Sequence, residues 1–109
     1  MAYDEGLAAR IGEVLGDQPG VVERKMFGGL AFMVQGHMCC GVIGDEMMLR
    51  VGPELYERVL GRAHARSMDF TGRPMKGLVT VGCEGLLEDE HLAEWIGFGL
   101  ACVTSLPAR

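Results

Sequence analysis

Residues 26–51 read MFGGLAFMVQGHMCCGVIGDEMMLRV, and this stretch decides the fold. It contains three short apolar runs separated by breaks that contain glycine, a pattern typical of β-strands joined by tight turns. Breaks as short as Gln35-Gly36 and Gly44-Asp45 can join only antiparallel neighbours. The stretch therefore predicts an antiparallel meander, and we expect the flanking segments to be helices that cover it.

Two further strands are predicted outside this stretch. Residues 21–27 alternate between the two faces, which predicts a strand with one face in water, at an edge of the sheet. Residues 76–81, KGLVTV, predict a later strand that begins after Pro74. The intervening residues 62–74, RAHARSMDFTGRP, have no clear period and are predicted to form a loop.

Three helices complete the prediction. The first begins at the capping residue Asp4 and is expected to stop at a left-handed Gly16. The second opens at Gly52-Pro53, and the third follows the acidic run of residues 88–90, where the helix dipole favours negative charge. The fold class is therefore α+β: an antiparallel sheet of about five strands, a four-strand meander plus one later strand, packed with three helices in the order αββββαβα. Residues 1–109 form a single domain.

Composition and charge narrow the class of protein. Hydrophobic residues make up 49% of the chain and aromatic residues only 6%, so the core must be aliphatic and rich in sulfur. The net charge of −5 disfavours direct binding to DNA by this chain alone, because binding to DNA depends on Lys and Arg side chains that neutralise phosphates. No apolar run is long enough for a membrane span, and the N-terminal segment lacks the pattern of a secretory signal. We expect a cytoplasmic protein.

The four cysteines predict neither a metal site nor a disulfide framework. None of them forms a C-x-x-C pair, and Cys39 and Cys40 are adjacent, so we expect their side chains on opposite faces of a strand. His37 with Cys39 is the only neighbouring pair of metal-ligand types. We therefore expect reduced, mostly buried thiols, with no metal and no cofactor. No phosphate-binding or hydrolase motif is present in the sequence, and no catalytic residue is predicted.

Basic residues are concentrated in the predicted loop and the start of the strand after it. Asp69 is the only acidic residue in this segment, although the chain as a whole is acidic. Loops often carry binding residues. We predict a site for an anion or an acidic partner, with solvated residues tied by ordinary ion pairs as the alternative. The residues of this basic patch are Arg62, His64, Arg66, Arg73 and Lys76.

The last helix is apolar on nearly all sides, which indicates deep burial or an interface. We predict that Trp95 and Phe98 contribute to an interface with a partner. Gly97 and Gly99 each weaken a helix by about 1 kcal/mol relative to alanine. We therefore expect another backbone to come close to this helix at both glycines.

Three segments carry a family resemblance: KMFGGLAFMVQGHMCCGVIGDEMMLRVGP, MDFTGRPMKGLVTV and LAEWIGFGLACVTSLP. Together they resemble the N-terminal domain of the TfoX/Sxy family, here as a stand-alone domain. The resemblance implies a small α+β domain. It also implies kinship with bacterial regulators of DNA uptake, which act as transcriptional coactivators beside a cyclic-AMP receptor protein and are not enzymes. It supplies no catalytic residue, and its G-R-P-M-K-G segment contains Arg73 and Lys76.

Two hypotheses about function follow. The first is a regulatory interaction module that binds a protein partner, such as a transcription factor, or associates with itself as a homodimer, without contact to a membrane. The second is an enzyme or small-ligand-binding protein that uses a pocket containing Cys83 and His64, since a nucleophile and its base need only be close in space.

Overall fold

The computed structural model describes residues 3–26, 28–69 and 74–106, with side chains except at residues 26, 68, 69 and 74–76. The helices are α1 (Glu5–Val14), α2 (Gly52–Leu60) and α3 (Asp89–Thr104). The strands are β1 (Val21–Met26), β2 (Gly29–Val34), β3 (His37–Ile43), β4 (Glu46–Arg50), β5 (Ala65–Asp69) and β6 (Pro74–Val81). A short 3-10 helix, Cys83–Leu86, leads from β6 towards α3.

The strands form one antiparallel sheet in the order β1-β2-β3-β4-β6-β5. The predicted α+β class, the meander and the position of β1 at an edge are confirmed. Gln35 and Gly36 both have positive φ, 54° and 87°, which is the conformation of a two-residue hairpin turn. Gly44 has a φ of 59° in the next hairpin, where Ile43 pairs with Glu46.

The sheet has six strands, so the predicted loop over residues 62–74 is wrong in its middle. There β5 pairs with β6, with Ala65 opposite Val81 and Ser67 opposite Val79. The strand was missed because its inward positions carry small residues, Ala65 and Ser67, which give almost no hydrophobic signal. The order of elements is therefore αββββαββα, with the short 3-10 helix before the last helix.

The helices share one hydrophobic core with a single face of the sheet. Residues from all three helices and from β2, β3, β4 and β6 belong to one buried cluster, which includes Ile11, Phe32, Val42, Leu49, Val79 and Ile96. Ala31, Met38 and Met48 are also buried but lie outside that cluster, on the opposite face. Gly41 is needed on this face, because a Cβ there would lie 2.7 Å from the backbone carbonyl oxygen of Leu30.

The prediction that Cys39 and Cys40 lie on opposite faces of the strand is wrong, because β3 has a β-bulge at Cys39. Phe32 lies opposite Cys40 and Met33 opposite Met38, so Cys39 is the extra residue of β3. The bulge brings Cys39 and Cys40 into the same buried core cluster, rather than onto opposite faces.

The two ends of α1 agree with expectation only in part. Asp4 caps α1 as predicted, because its carboxylate accepts a hydrogen bond from the Leu7 amide at 3.1 Å. Gly16 does not adopt the left-handed conformation: the helix ends at Leu15 with an ordinary negative φ, and the left-handed glycine is Gly20. Gly20 has a φ of 79° and lies in the turn that leads directly into β1.

The two glycines of α3 have different surroundings. A Cβ at Gly99 would lie 2.9 Å from both the carbonyl oxygen and the sulfur of Cys39, so β3 comes as close there as predicted. A Cβ at Gly97 would have no atom within 4 Å among the described residues, and Gly97 is exposed. The expectation was therefore right for Gly99 and wrong for Gly97, which lies on the solvent side of the helix.

Candidate functional site

Arg62 covers the aromatic pair of α3. Its guanidinium carbon lies 4.9 Å from the centre of the Trp95 ring and 5.3 Å from that of Phe98, and it forms an ion pair with Glu94. The two rings meet edge to face, with centres 6.3 Å apart. Trp95 also donates a hydrogen bond from its indole nitrogen to the Gly85 carbonyl at 3.1 Å. Arg62 thus binds the loop before β5 to α3.

The predicted interface residues differ in how far they reach solvent. Trp95 is 4% exposed, so nearly all of its ring packs inside the domain. Phe98 is half-buried and keeps part of its ring accessible. A role for the two residues in an interface stays a prediction, and Phe98 offers the larger accessible surface for it.

Arg66 holds the start of β5 against β4. Its guanidinium donates to both carboxylate oxygens of Glu46, one of them at 2.7 Å. This hydrogen bonding lowers the pKa of Glu46 below its ordinary value, although burial acts in the opposite direction. Both groups lie near the surface, so the pair contributes little to stability.

The described part of the basic patch is accompanied by carboxylates. Arg62 and Arg66 each form an ion pair, which favours the ordinary ion-pair alternative for these two residues. His64 is exposed and has a φ of 72°, a conformation uncommon for a residue other than glycine. Arg73 lies outside the described residues, and Lys76 is described only through its backbone in β6. Their role in binding an anion or a partner stays a prediction.

Cys83 and His64 line the same shallow cleft, which has a volume of about 390 Å³. Glu46, Arg66 and Glu84 line it as well. The negative charge of Asp45 raises the pKa of the Cys83 thiol, with smaller contributions in the same direction from burial and from Glu84. A raised pKa keeps this exposed thiol protonated at neutral pH, which disfavours it as a nucleophile.

The other three thiols lie against the core. The hydrogen bond between the adjacent thiols raises the pKa of Cys40 well above its ordinary value and lowers that of Cys39. Burial is the main cause that raises the pKa of Cys102. Cys39 and Cys40 are fully buried, so reagents in solution reach them only when the core opens.

The described residues contain neither a metal-binding cluster nor a membrane-spanning helix. No group of three or more His, Cys, Asp or Glu side chains in residues 3–26, 28–69 and 74–106 is arranged to hold a metal ion. Within the same ranges, no helix has the length and apolar character needed to cross a membrane.

The outer edge of β1 is an exposed surface that no chemical motif in the sequence indicates. Val22, Glu23, Arg24 and Lys25 are all exposed, although they alternate between the two faces of the strand. Val22 is 57% exposed and is one of the few large apolar side chains on the described surface. The signal in the sequence was the run of charges Glu23-Arg24-Lys25 inside a strand pattern.

Comparison with known proteins identifies one family. The family model described as the TfoX N-terminal domain matches residues 13–102, which is most of the chain. No curated protein and no solved structure matches the chain.

Proposed function

This chain belongs to the TfoX N-terminal domain family, and on that premise we propose that it is a non-enzymatic regulatory module that acts through protein partners. The family match over residues 13–102 is the observation that carries the proposal. The partner that the resemblance implies is a transcription factor in the cytoplasm of a bacterium. The net charge of −5 supports a protein as the direct partner rather than bare DNA.

Affinity capture from the source cells tests the proposal. The whole chain serves as bait, and the lysate is treated with nuclease so that nucleic acid cannot bridge two proteins. We expect a protein partner to co-purify in a stoichiometric amount. Failure to recover any protein partner would contradict the proposal.

The predicted binding residues Arg73 and Lys76 offer a variant for the same experiment. Arg73→Ala with Lys76→Ala should reduce the amount of captured partner and leave the melting temperature unchanged. A matched control, Arg10→Ala with Arg58→Ala, removes the same charge elsewhere and should capture the partner normally. A lowered melting temperature in the first variant would make the two side chains structural instead.

A second candidate function is a small-ligand or catalytic site at the cleft shared by Cys83 and His64. The shared cleft favours this candidate, and the raised pKa of the Cys83 thiol opposes it. Alkylation of Cys83 with a Cys83→Ser control measures the thiolate directly. We expect slow modification at pH 7 that accelerates as the pH rises. Rapid modification at pH 7 would favour the catalytic candidate.

A further inference from the structure

Among the residues that the structure describes, no strand pairs with the outer side of β1, which is therefore an open sheet edge. β1 pairs with β2 on one side, and β1 is the terminal strand in the sheet order. Such an edge presents unpaired backbone donors and acceptors, which make it a template for pairing with another strand. The side chains from Val22 to Lys25 are exposed on both faces, so β1 extends beyond the helical layer.

The hydrogen bonding with β2 fixes which backbone groups of β1 point outward. The Gln35 amide donates to the Gly20 carbonyl at 3.1 Å, so these two residues form a hydrogen-bonded pair. In an antiparallel ladder such pairs alternate with pairs that share no hydrogen bond. The register places Val21, Glu23 and Lys25 in the second kind. Their amide and carbonyl groups therefore face away from β2.

The other edge of the sheet, β5, is less suited to pairing. Its register with β6 shifts between Ser67 and Asp69, and α2 packs beside it. A bulge and a covering helix are two devices by which proteins block an edge strand. All six pairs between β1 and β2 follow one uninterrupted register, so no bulge interrupts β1 where the structure describes it.

We infer that β1 pairs antiparallel with β1 of a second copy of this chain, around a two-fold axis that passes beside Arg24. The two six-stranded sheets then join into one continuous sheet. The inference deepens the proposed function, because it identifies one partner of the module as the module itself and assigns the surface that binds it.

Charge selects this register among the alternatives. A two-fold axis at Glu23 would place Glu23 opposite its own copy, and an axis at Lys25 would do the same for Lys25. An axis at Arg24 places Glu23 opposite Lys25 twice, and both residues have outward backbone groups that can bond across the interface. Two attractive pairs then outweigh one repulsive pair, Arg24 opposite its own copy.

The same charges restrict the choice of partner. Charged residues on an edge strand discourage pairing with an arbitrary neighbour. A strand that carries glutamate and lysine two positions apart places opposite charges next to each other when it pairs with its own antiparallel copy. Against many other strands it would place like charges together, so the same residues both attract the second copy and disfavour other partners. A single pair of strands makes a small interface, and we therefore expect a weak dimer that depends on concentration.

Charge reversal in four versions of the whole chain tests the register by sedimentation equilibrium. Glu23→Lys and Lys25→Glu each replace two attractive pairs with two repulsive ones, and each should raise the dimer dissociation constant about tenfold or more. The double variant, Glu23→Lys with Lys25→Glu, restores opposite charges and should dimerise like the original chain. A double variant as weak as the single ones would overturn the inference.

A disulfide reports the two-fold axis directly. In a Cys83→Ser background, Arg24→Cys places two thiols opposite each other in a pair without hydrogen bonds, where the Cα atoms lie about 4.5 Å apart, within disulfide reach. Oxidation should yield a covalent dimer. Val22→Cys is the matched control: its copy lies about four residues along the strand, beyond bonding distance. Equal crosslinking of both variants would overturn the register.

The oligomeric state of the unmodified chain, measured together with partner capture, distinguishes a failure of this inference from a failure of the proposed function. A chain that stays monomeric at every concentration, yet captures another protein from the source cells, rejects the β1 dimer and leaves the regulatory module intact. A chain that dimerises and captures no other protein supports the dimer and contradicts the wider proposal.

Discussion

The strands β3 and β1 belong to the same sheet and have similar lengths, but their environments are opposite. In β3 every residue from Met38 to Val42 is buried, with helices on one face and neighbouring strands on both sides. In β1 the residues from Val22 to Lys25 are exposed, and no strand in the described part of the chain pairs with one side of its backbone. Stability is therefore concentrated in the centre of the sheet, whereas the edge is available for recognition.

A matched pair of valine substitutions should show the largest difference between the two strands. Val42 is 0% exposed, so Val42→Ala should lower the free energy of unfolding by about 2 to 3 kcal/mol, from lost burial and the cavity left behind. Val22→Ala in β1 should change it by less than about 0.5 kcal/mol. Urea unfolding measures both. Equal losses would show that β1 is as integral to the core as β3.

A pair of glycine substitutions in α3 tests how closely that helix covers β3. Gly99→Ala should lower stability by about 1 to 2 kcal/mol, because its methyl would meet Cys39 atoms at 2.9 Å and Leu49 at 3.0 Å. Gly97→Ala should raise stability by up to about 1 kcal/mol through helix propensity alone. Thermal unfolding distinguishes them. A stabilising Gly99→Ala would mean that α3 lies further from β3 than the structure shows.

The smallest effect is expected at the opposite edge, where Arg66 pairs with Glu46. The pKa of Glu46 is lowered in the folded state, so its contribution to stability exists above the ordinary carboxyl pKa of 4.5 and is lost as the pH falls through the lower folded value. Arg66→Ala should cost less than about 1 kcal/mol at neutral pH. The deficit should disappear in acid. Arg58→Ala is the control, and a deficit independent of pH would contradict the assignment.

The central strands were predictable because each of them is a continuous apolar run between glycine turns. The strand β5 was not, since Ala65 and Ser67 face the core without a hydrophobic signal. The bulge at Cys39 depends on how β3 meets β2, which the order of residues in one strand does not encode.

The surface was less predictable than the core. Arg62 and Arg66 read as an isolated basic patch in the sequence, because their partners Glu94 and Glu46 are 32 and 20 positions away. The edge position of β1 was predicted from its alternating pattern. Its free hydrogen-bonding groups became visible only with the register against β2.

Amide hydrogen exchange along β1, measured by NMR at several protein concentrations, tests the edge-to-edge dimer most directly. The amides of Val22 and Arg24 bond to β2 and should be protected at every concentration, whereas the outward amides of Glu23 and Lys25 should become protected only as the concentration rises. Outward amides that exchange rapidly at all concentrations would contradict the account.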